Sequence, residues 1–455
     1  MKIAIVDVYP FINHRLIKDT AGGYGTGNNF GNSYFSKILN MFVDRMIGMP
    51  PMYLMYISSI FKKDAANNVF YTRNIEDKNI NDSDFIIFAS SIIAHETEIA
   101  ALEKIKDKKV FVTGIFSNIF KEKYKSINTR IIKNEAETFF HNLEKENKLN
   151  KEFFDSLFEN NESEIENNFQ VDLDELPFPD WKNYTKNFPL RNNFFSIKNN
   201  IAIPLLATRG CPYSCFNYCT YPLQQGRKVR ARSAKNICEE IKFWMKELNT
   251  NKFVFRDPVF SINRKHTIEL CNEIINQKLN ITYLIETHLN NLDDEMLDLL
   301  YRSGLRMVYV GVESADSNVL SDINRFTIKN DKQFQVIEKC EKKGVAVKTM
   351  FMFGNPEDNE TTIKETINYS KFLPNMFAQF SIFTPYPGTP IFKKFEENIT
   401  TKKLEDFNQY KLTFKHKNLS DSHIEKLKTK AYLSYYFNVK KSIKILLYFI
   451  KSLYD

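Results

Sequence analysis

One stretch constrains this chain more than any other: Thr208-Arg209-Gly210-Cys211-Pro212-Tyr213-Ser214-Cys215-Phe216-Asn217-Tyr218-Cys219. Three cysteines fall within nine residues, directly after the apolar run Ile201–Leu206. Such a run, closed by Gly210 and Pro212, reads as a buried strand entering a loop. Three thiolates on one loop make a soft, sulfur-rich site. A structural zinc site wants four ligands, and the next candidates, Cys238 and His266, are distant in sequence. A cubane iron–sulfur cluster wants one thiolate per iron. Three thiolates therefore hold three irons and leave the fourth open to a small molecule. The competing reading is three buried free cysteines that meet by chance.

Composition supports an intracellular, globular setting. All six cysteines lie after residue 210, and Cys238, Cys271 and Cys340 fall in helical patterns as small core residues. That distribution argues against a disulfide framework and for a reducing cytoplasm. The start, Met1–Asp7, reads as a strand and not as a signal peptide. No apolar run reaches the length of a membrane span. The net charge of +8 is mild for 455 residues, and no arginine-rich tract points to nucleic acid.

Strands alternate with helices along most of the chain, which predicts an α/β protein. Residues 1–145 read as an open parallel sheet of the Rossmann-like kind. Its strands are placed at 2–9, 69–72, 85–89 and 109–113, with helices at Tyr34–Met46, after Pro50-Pro51 and at Ala94–Ile105. Gly22, Gly23, Gly25, Gly27 and Gly31 form a loop with two readings, a cradle for a phosphate or cofactor tail and a flexible surface loop. Residues 146–200 read as a charged linker ending in a Pro-rich strap. Residues 201–395 restart the alternation, with strands at 201–206, 252–256, 281–286, 306–311, 345–352 and 378–384. Six βα units predict a partial (β/α)6 barrel of the TIM type, with the site on loops at strand C-termini. Helices are expected at Lys235–Leu248, with Ser233 as N-cap, and at Asp331–Lys343, ended by Gly344. Residues 396–455 form a basic helical extension. Its tail, 438–455, has two readings, a terminal helix docked on the barrel and an interfacial helix against a membrane.

The cysteine loop resembles the signature of radical S-adenosylmethionine enzymes, C-x3-C-x2-C with an aromatic before the last cysteine. Tyr218 holds that aromatic place, and one extra residue makes the spacing here C-x3-C-x3-C. Further likeness follows in chain order at strand ends. Arg256-Asp257-Pro258-Val259-Phe260 resembles an Asp-Asp-x-Phe segment, and Gly311-Val312-Glu313-Ser314 a Gly-x-Glu-Ser motif. Gly354-Asn355-Pro356-Glu357 and Thr384–Pro390 match the fifth and sixth loops. Met49-Pro50-Pro51, Asn134–Phe139 and Leu176–Trp181 resemble segments of the subfamily with an N-terminal cobalamin-binding-type domain. The D-x-H-x-x-G cobalt-ligand motif is absent, since His14 and His95 lack its context. Methylthiotransferases share the layout but need an N-terminal cysteine cluster, and residues 1–210 hold no cysteine.

The resemblance implies a 4Fe–4S cluster on Cys211, Cys215 and Cys219, with adenosylmethionine on the open iron. One-electron cleavage gives methionine and a 5′-deoxyadenosyl radical. Tyr218, Asp257, Thr287, Glu313 and Ser314 are the residues expected around adenosylmethionine. Cobalamin is the expected methyl carrier, for methylation of an unactivated carbon. The implied partners are a small-molecule or lipid substrate and an electron donor such as flavodoxin or ferredoxin. Two rival readings stand beside this one. One is a non-methylating cyclisation or rearrangement with the N-terminal domain as scaffold. The other is a degenerate barrel acting as a binding protein.

Overall fold

Two parallel six-stranded sheets account for the architecture. The structure, a computed structural model, describes residues 1–10, 15–28, 47–126, 128–160, 162–192 and 201–454. The expected helix at Tyr34–Met46, together with Gly31 and His14, lies outside the described residues.

The first sheet runs in the spatial order Asn68–Thr72, Lys2–Val6, Phe85–Ala89, Val110–Thr113, Thr129–Ile132, Glu164–Ile165. All its pairings are parallel. The strands are short runs of Ile, Val and Phe buried on both faces, as a helix-covered parallel sheet requires. The order reverses beside the first strand, which has the second strand on one side and the third on the other. Crevices for ligands open at such switch points, outside strand C-termini.

The second sheet keeps sequence order throughout: Ile203–Leu205, Lys252–Phe255, Thr282–Glu286, Leu305–Glu313, Ala346–Phe353, Phe377–Ile382. Every pairing is parallel, which makes it the expected six-stranded partial barrel. Its helices include Ala234–Leu248, Arg264–Asn276, Asp294–Ser303, Asn330–Lys342 and Glu360–Phe372. Ser233 caps the first of these by accepting from the Asn236 N–H. Gly344 follows the end of Asn330–Lys342 at φ 87°, the left-handed turn that glycine makes easily. Cys238, Cys271 and Cys340 are buried on these helices as core residues.

The stretch 146–200 does more than link. Lys151–Glu159 is a helix, and Glu164–Ile165 is the edge strand of the first sheet. The strap after it is anchored at both ends. Asp180 receives the Ser58 hydroxyl at 2.7 Å and pairs with Lys62 at 2.6 Å, while the buried Trp181 opens a short helix. Phe178 lies 5.9 Å from Phe243 on the barrel helix Ala234–Leu248. The strap thus ties the first sheet's helix Met52–Lys62 to the barrel.

The described part of the glycine loop departs from the surface-loop reading. Thr20–Gly25 sits between the halves rather than in solvent. A Cβ on Gly22, at φ 55°, would run into the Thr220 backbone, so only glycine fits. The Thr220 hydroxyl donates to the Ala21 carbonyl at 2.5 Å, and the Tyr24 hydroxyl donates to the Pro387 carbonyl at 2.6 Å.

At the C-terminus two helices, Asp421–Tyr436 and Val439–Tyr454, follow one another. Ile445, Tyr448 and Phe449 of the last helix pack on the barrel around Phe377. The docked reading of the tail therefore holds for that face. Among the described residues no helix is long and apolar enough to cross a membrane.

Candidate functional site

The first barrel strand delivers the cysteine loop to the barrel mouth. Gly210 turns the chain at φ 91°, where a side chain would meet the Lys228 carbonyl. The Cys211 N–H donates to the Gly226 carbonyl at 3.1 Å, and Arg227 donates to the Pro212 carbonyl at 2.7 Å. The turn Ser214–Asn217 then carries Cys215, and the Cys219 N–H donates back to the Cys215 carbonyl at 2.9 Å. That bond accounts for the extra residue. In a helical turn, positions three and four apart both return to the same face. The longer spacing therefore keeps Cys219 beside Cys215.

The donor set has the chemistry that a cluster needs. Cys211 and Cys215 are buried, Cys219 is half-buried, and none forms a disulfide. A hydrogen bond from Cys219, with help from the Arg325 charge, brings the Cys215 thiol down to about 7 against the opposing effect of burial. Cys219 moves up, because that bond holds its proton and its surroundings are poor in water, and burial pushes Cys211 up to about 11. Three thiols that feel one another, on one loop at the mouth of a parallel barrel, fit a cluster with one iron left open. Among the described residues no three His, Cys, Asp or Glu side chains are drawn into a finished metal cage. The thiols instead engage each other, the arrangement that metal binding replaces by deprotonation.

The fourth barrel strand brings the other half of the site. It ends with a register shift between Gly311 and Glu313, and Glu313 adopts φ 64°. A non-glycine residue there is strained, and such strain collects at functional sites. Burial pushes the Glu313 carboxyl up against the pull of Arg325, whose Nη2 lies 3.4 Å from Oε1. The same guanidinium donates to the Gly311 carbonyl at 2.9 Å and to His288 Nε2 at 2.8 Å. A guanidinium only donates, so His288 Nε2 carries a lone pair there. Burial and that charge hold His288 down at about 3, so the ring stays neutral. Tyr218 shares this environment, its phenol raised first by burial and then by Glu313, with its ring 6.1 Å from Phe383.

Tyr218, Glu313 and the three cysteines thus share one locale. Asp257, Thr287 and Ser314 lie close by in the fold, but their polar atoms are engaged elsewhere. Asp257 accepts the Thr208 N–H and, at 2.6 Å, the Thr208 hydroxyl through Oδ1, and the Ala207 N–H at 3.2 Å through Oδ2. It braces the entry to the cysteine loop. The Thr287 hydroxyl pairs with Ser261 at 2.5 Å. Ser314 faces Thr366 on the helix Glu360–Phe372 at 3.2 Å and accepts from the Asp316 N–H. Arg325 was not singled out from the sequence. It follows a short helix with no motif around it, and only the fold brings it to the thiols.

Across from the cysteine loop stands the C-terminal edge of the first sheet. A small pocket of about 50 Å³ lies between that edge and the barrel mouth. One wall includes Tyr53, Gly114, Ile115 and Asn134–Glu137, and the other Leu206, Arg209, Tyr221 and Arg256. Leu206, Arg209 and Tyr221 flank the cysteines on both sides in sequence, and Arg256 follows the second barrel strand. Arg209 closes one end of the pocket, 3.1 Å from Glu135 and 2.7 Å from Glu137, and Arg230 pairs with Glu135 at 2.8 Å. Arg256 pairs with Asp19 at 2.9 Å on the other side.

Comparison with known proteins agrees with this geometry. Residues 205–370 match the model of the radical SAM superfamily. An uncharacterised methyltransferase of Pyrococcus horikoshii is 29% identical over 245 residues, 53% of this chain and 52% of its own length. Bacteriochlorophyllide d C-12(1)-methyltransferase of Chlorobaculum tepidum is 28% identical over 220 residues, 48% of each chain. The chain spans about half the length of the curated relatives it matches. Among solved structures, the cobalamin-dependent S-adenosylmethionine radical enzyme OxsB, with aqua-cobalamin and S-adenosylmethionine bound, aligns over 100% of this chain and 70% of its own. The TM-score is 0.67 at 14% identity, a likeness of fold over both sheets.

Proposed function

We propose that the protein is a cobalamin-dependent radical S-adenosylmethionine enzyme that methylates an unactivated carbon of a small-molecule or lipid substrate. The observation that carries this reading is that the cysteine loop and the C-terminal edge of the first sheet face each other across a small pocket. In this reading, Cys211, Cys215 and Cys219 hold the 4Fe–4S cluster, and Tyr218 and Glu313 lie against adenosylmethionine. Asp257, Thr287 and Ser314 support them, and Arg325 supplies positive charge beside the thiols. Residues 1–145 form the cobalamin-binding-type domain, 201–395 the barrel and 396–455 the basic extension. Tyr53, Gly114 and Asn134–Glu137 would face the corrin. When bound, the cofactors supply the electron, the adenosyl radical and the methyl group. The chain's part is to orient them across one water-poor cleft and to admit the substrate between them. An external donor in a reducing cytoplasm provides the electron.

Anaerobic reconstitution with iron, sulfide and hydroxocobalamin tests the proposal. The expected result is about one cobalamin per chain after desalting, and methyl label moving from adenosylmethionine to a product in a substrate screen. Cleavage of adenosylmethionine with no corrinoid retained would hand the reading to the non-methylating alternative, with residues 1–145 as scaffold. Full cluster loading with no cleavage would favour a binding protein.

Peripheral membrane contact is the second element of the proposal. On the last helix Ile443, Leu446, Leu447 and Ile450 face outward, with Leu446 and Leu447 each 60% exposed, at the spacing of one apolar stripe. Exposed Lys440 and Lys451 flank them, the pattern of a helix lying on an anionic surface. In flotation with vesicles containing anionic lipid, the wild-type protein should rise and the Leu446→Glu/Leu447→Glu variant should stay behind. Equal distribution of the two proteins would end the membrane reading.

A further inference from the structure

The barrel sheet has two faces of different exposure. On the fourth strand Val308, Val310 and Val312 are buried, whereas Tyr309, Gly311 and Glu313 are half-buried. On the fifth, Val347, Thr349 and Phe351 are buried, and Lys348 and Met350 are half-buried. On the sixth, Ala378, Phe380 and Ile382 are buried, and Gln379 and Ser381 are half-buried. Side chains alternate between faces with period two, so the half-buried set shares one face. Most of the buried set joins helix residues such as Ile337 and Ile363 in one core, which makes the half-buried set the inner face of the barrel. A closed barrel fills that face with packed layers of bulky side chains. Here water reaches it.

Parallel pairing stacks the inner face in layers. Val254, Leu284, Met307 and Ala346 are register partners in turn and form an apolar floor. Phe377 joins them in one buried cluster, with Ile445, Tyr448 and Phe449 of the last helix packed against it. Two residues further along the strands come Glu286, Tyr309 and Lys348, again register partners in turn. Gly311, Met350 and Gln379 form the next layer. Glu313 stands above them, close enough to the thiols for its charge to act on Cys215.

The layer directly over the floor is charged. Lys348 holds its ammonium over the Tyr309 ring, 4.6 Å from the centroid. Burial pushes the Glu286 carboxyl up, and Arg256 and then Lys348 pull it back. Arg256 is itself held by Asp19 at 2.9 Å, and Arg325 lies 3.4 Å from Glu313. The more firmly Glu286 keeps its proton, the more this layer favours an added anion. An ammonium next to an apolar floor is costly to keep there unless an anion meets it. Gln379 stands one layer up on the adjoining strand, with an amide that also donates.

We propose that Lys348, two layers below Glu313 on the inner face of the barrel, recognises an acidic group of the substrate, a carboxylate or a phosphate, with Tyr309 and Gln379 beside it. This names the substrate class for the site proposed above and rests on that reading. The reacting carbon then lies several bonds from the acid, toward the thiols, because the two layers between span about 13 Å of strand.

The test uses the full chain carrying its cluster and four eight-carbon probes: octanoate, octyl phosphate, octylamine and octanol. Anaerobic titration calorimetry ranks the head groups. At least one of the two acids should bind about tenfold or more tighter than octanol and octylamine, the weight of a hydrogen bond to a charged group. The tighter acid tells carboxylate from phosphate. Lys348→Gln should lose that advantage, and Lys348→Arg should keep it within about threefold. If Lys348→Gln takes up too little iron to count as folded, the ranking on the wild-type protein and on Lys348→Arg decides. Acids that bind no better than octanol, or as well to folded Lys348→Gln as to wild type, would overturn the inference. Iron content and adenosylmethionine cleavage, measured on the same wild-type preparation, report separately on the radical-enzyme reading. Full iron and cleavage without preference for an acid defeats this inference alone. Absence of iron or of cleavage removes the reading beneath it, and this inference with it.

Discussion

Cys215→Ala is expected to abolish both the cluster and the cleavage of adenosylmethionine. Reconstituted wild-type protein should carry about four irons and four sulfides per chain, the content of one cubane. The variant should fall to background iron, and 5′-deoxyadenosine should fall to the level seen without enzyme. In the proposed assignment Cys215 is the middle one of the three ligands. Its carbonyl accepts the Cys219 N–H at 2.9 Å. A two-thiolate remnant at 211 and 219 lacks the ligand that joins them. The extra residue gives a finer comparison. Deletion of Asn217 restores the shorter spacing, and a turn with cysteines three apart keeps both on one face. The deletion variant should therefore retain iron. Loss of iron there would mean that the i, i+4 geometry is required and is not a tolerated lengthening. Wild-type protein that takes zinc and no iron would sink the cluster assignment altogether.

What could be read from the chain followed from burial and periodicity. Barrel strands are continuous apolar runs closed by turn residues, so Lys252–Phe255 and Phe377–Ile382 were visible within a residue or two at each end. The cysteine spacing carries its chemistry openly, because few structural needs place three thiols on one loop. Thr129–Ile132 was missed because it has four residues and contains Arg130. That guanidinium is buried only because the Leu157 and Asn160 carbonyls accept from it and Phe158 lies under it. Its partners belong to the stretch read as a linker. Phe153, Phe154, Leu157 and Phe158 did carry a helical pattern there, outweighed by the charge around it. Asp257 shows the opposite limit. A carboxylate at a strand end reads as a ligand-binding group, and the sequence does not reveal that the preceding strand's backbone takes up its oxygens. The glycine loop was ambiguous for the same reason. Glycine permits close approach, but the sequence does not say whether the approaching body is a phosphate or Thr220.

Arg209→Met is expected to be among the most destabilising single changes in the protein, because it cuts the ionic lock between the halves. Glu137 is 3% exposed, and its ion pair is with Arg209 at 2.7 Å. Removing one member of a buried pair leaves an uncompensated charge and costs about 3–5 kcal/mol. Glu135 suffers less, since Arg230 still holds both of its oxygens at 2.9 and 2.8 Å. The loss should appear in the first unfolding transition of the apoprotein in urea, where no cluster adds stability of its own. Glu137→Gln should soften the effect. The double variant has no orphaned carboxylate, so its cost should be less than the sum of the two single costs, the coupling expected of neighbours in one network. Arg209 stands two residues before Cys211, so the same change should also lower the iron taken up by the folded fraction. Additive costs in the double variant, or a loss under about 1 kcal/mol in Arg209→Met, would show an exposed pair of ordinary weight. The Asn134-Glu135-Ala136-Glu137 segment would then need another role than fastening the cysteine loop to the sheet that faces it.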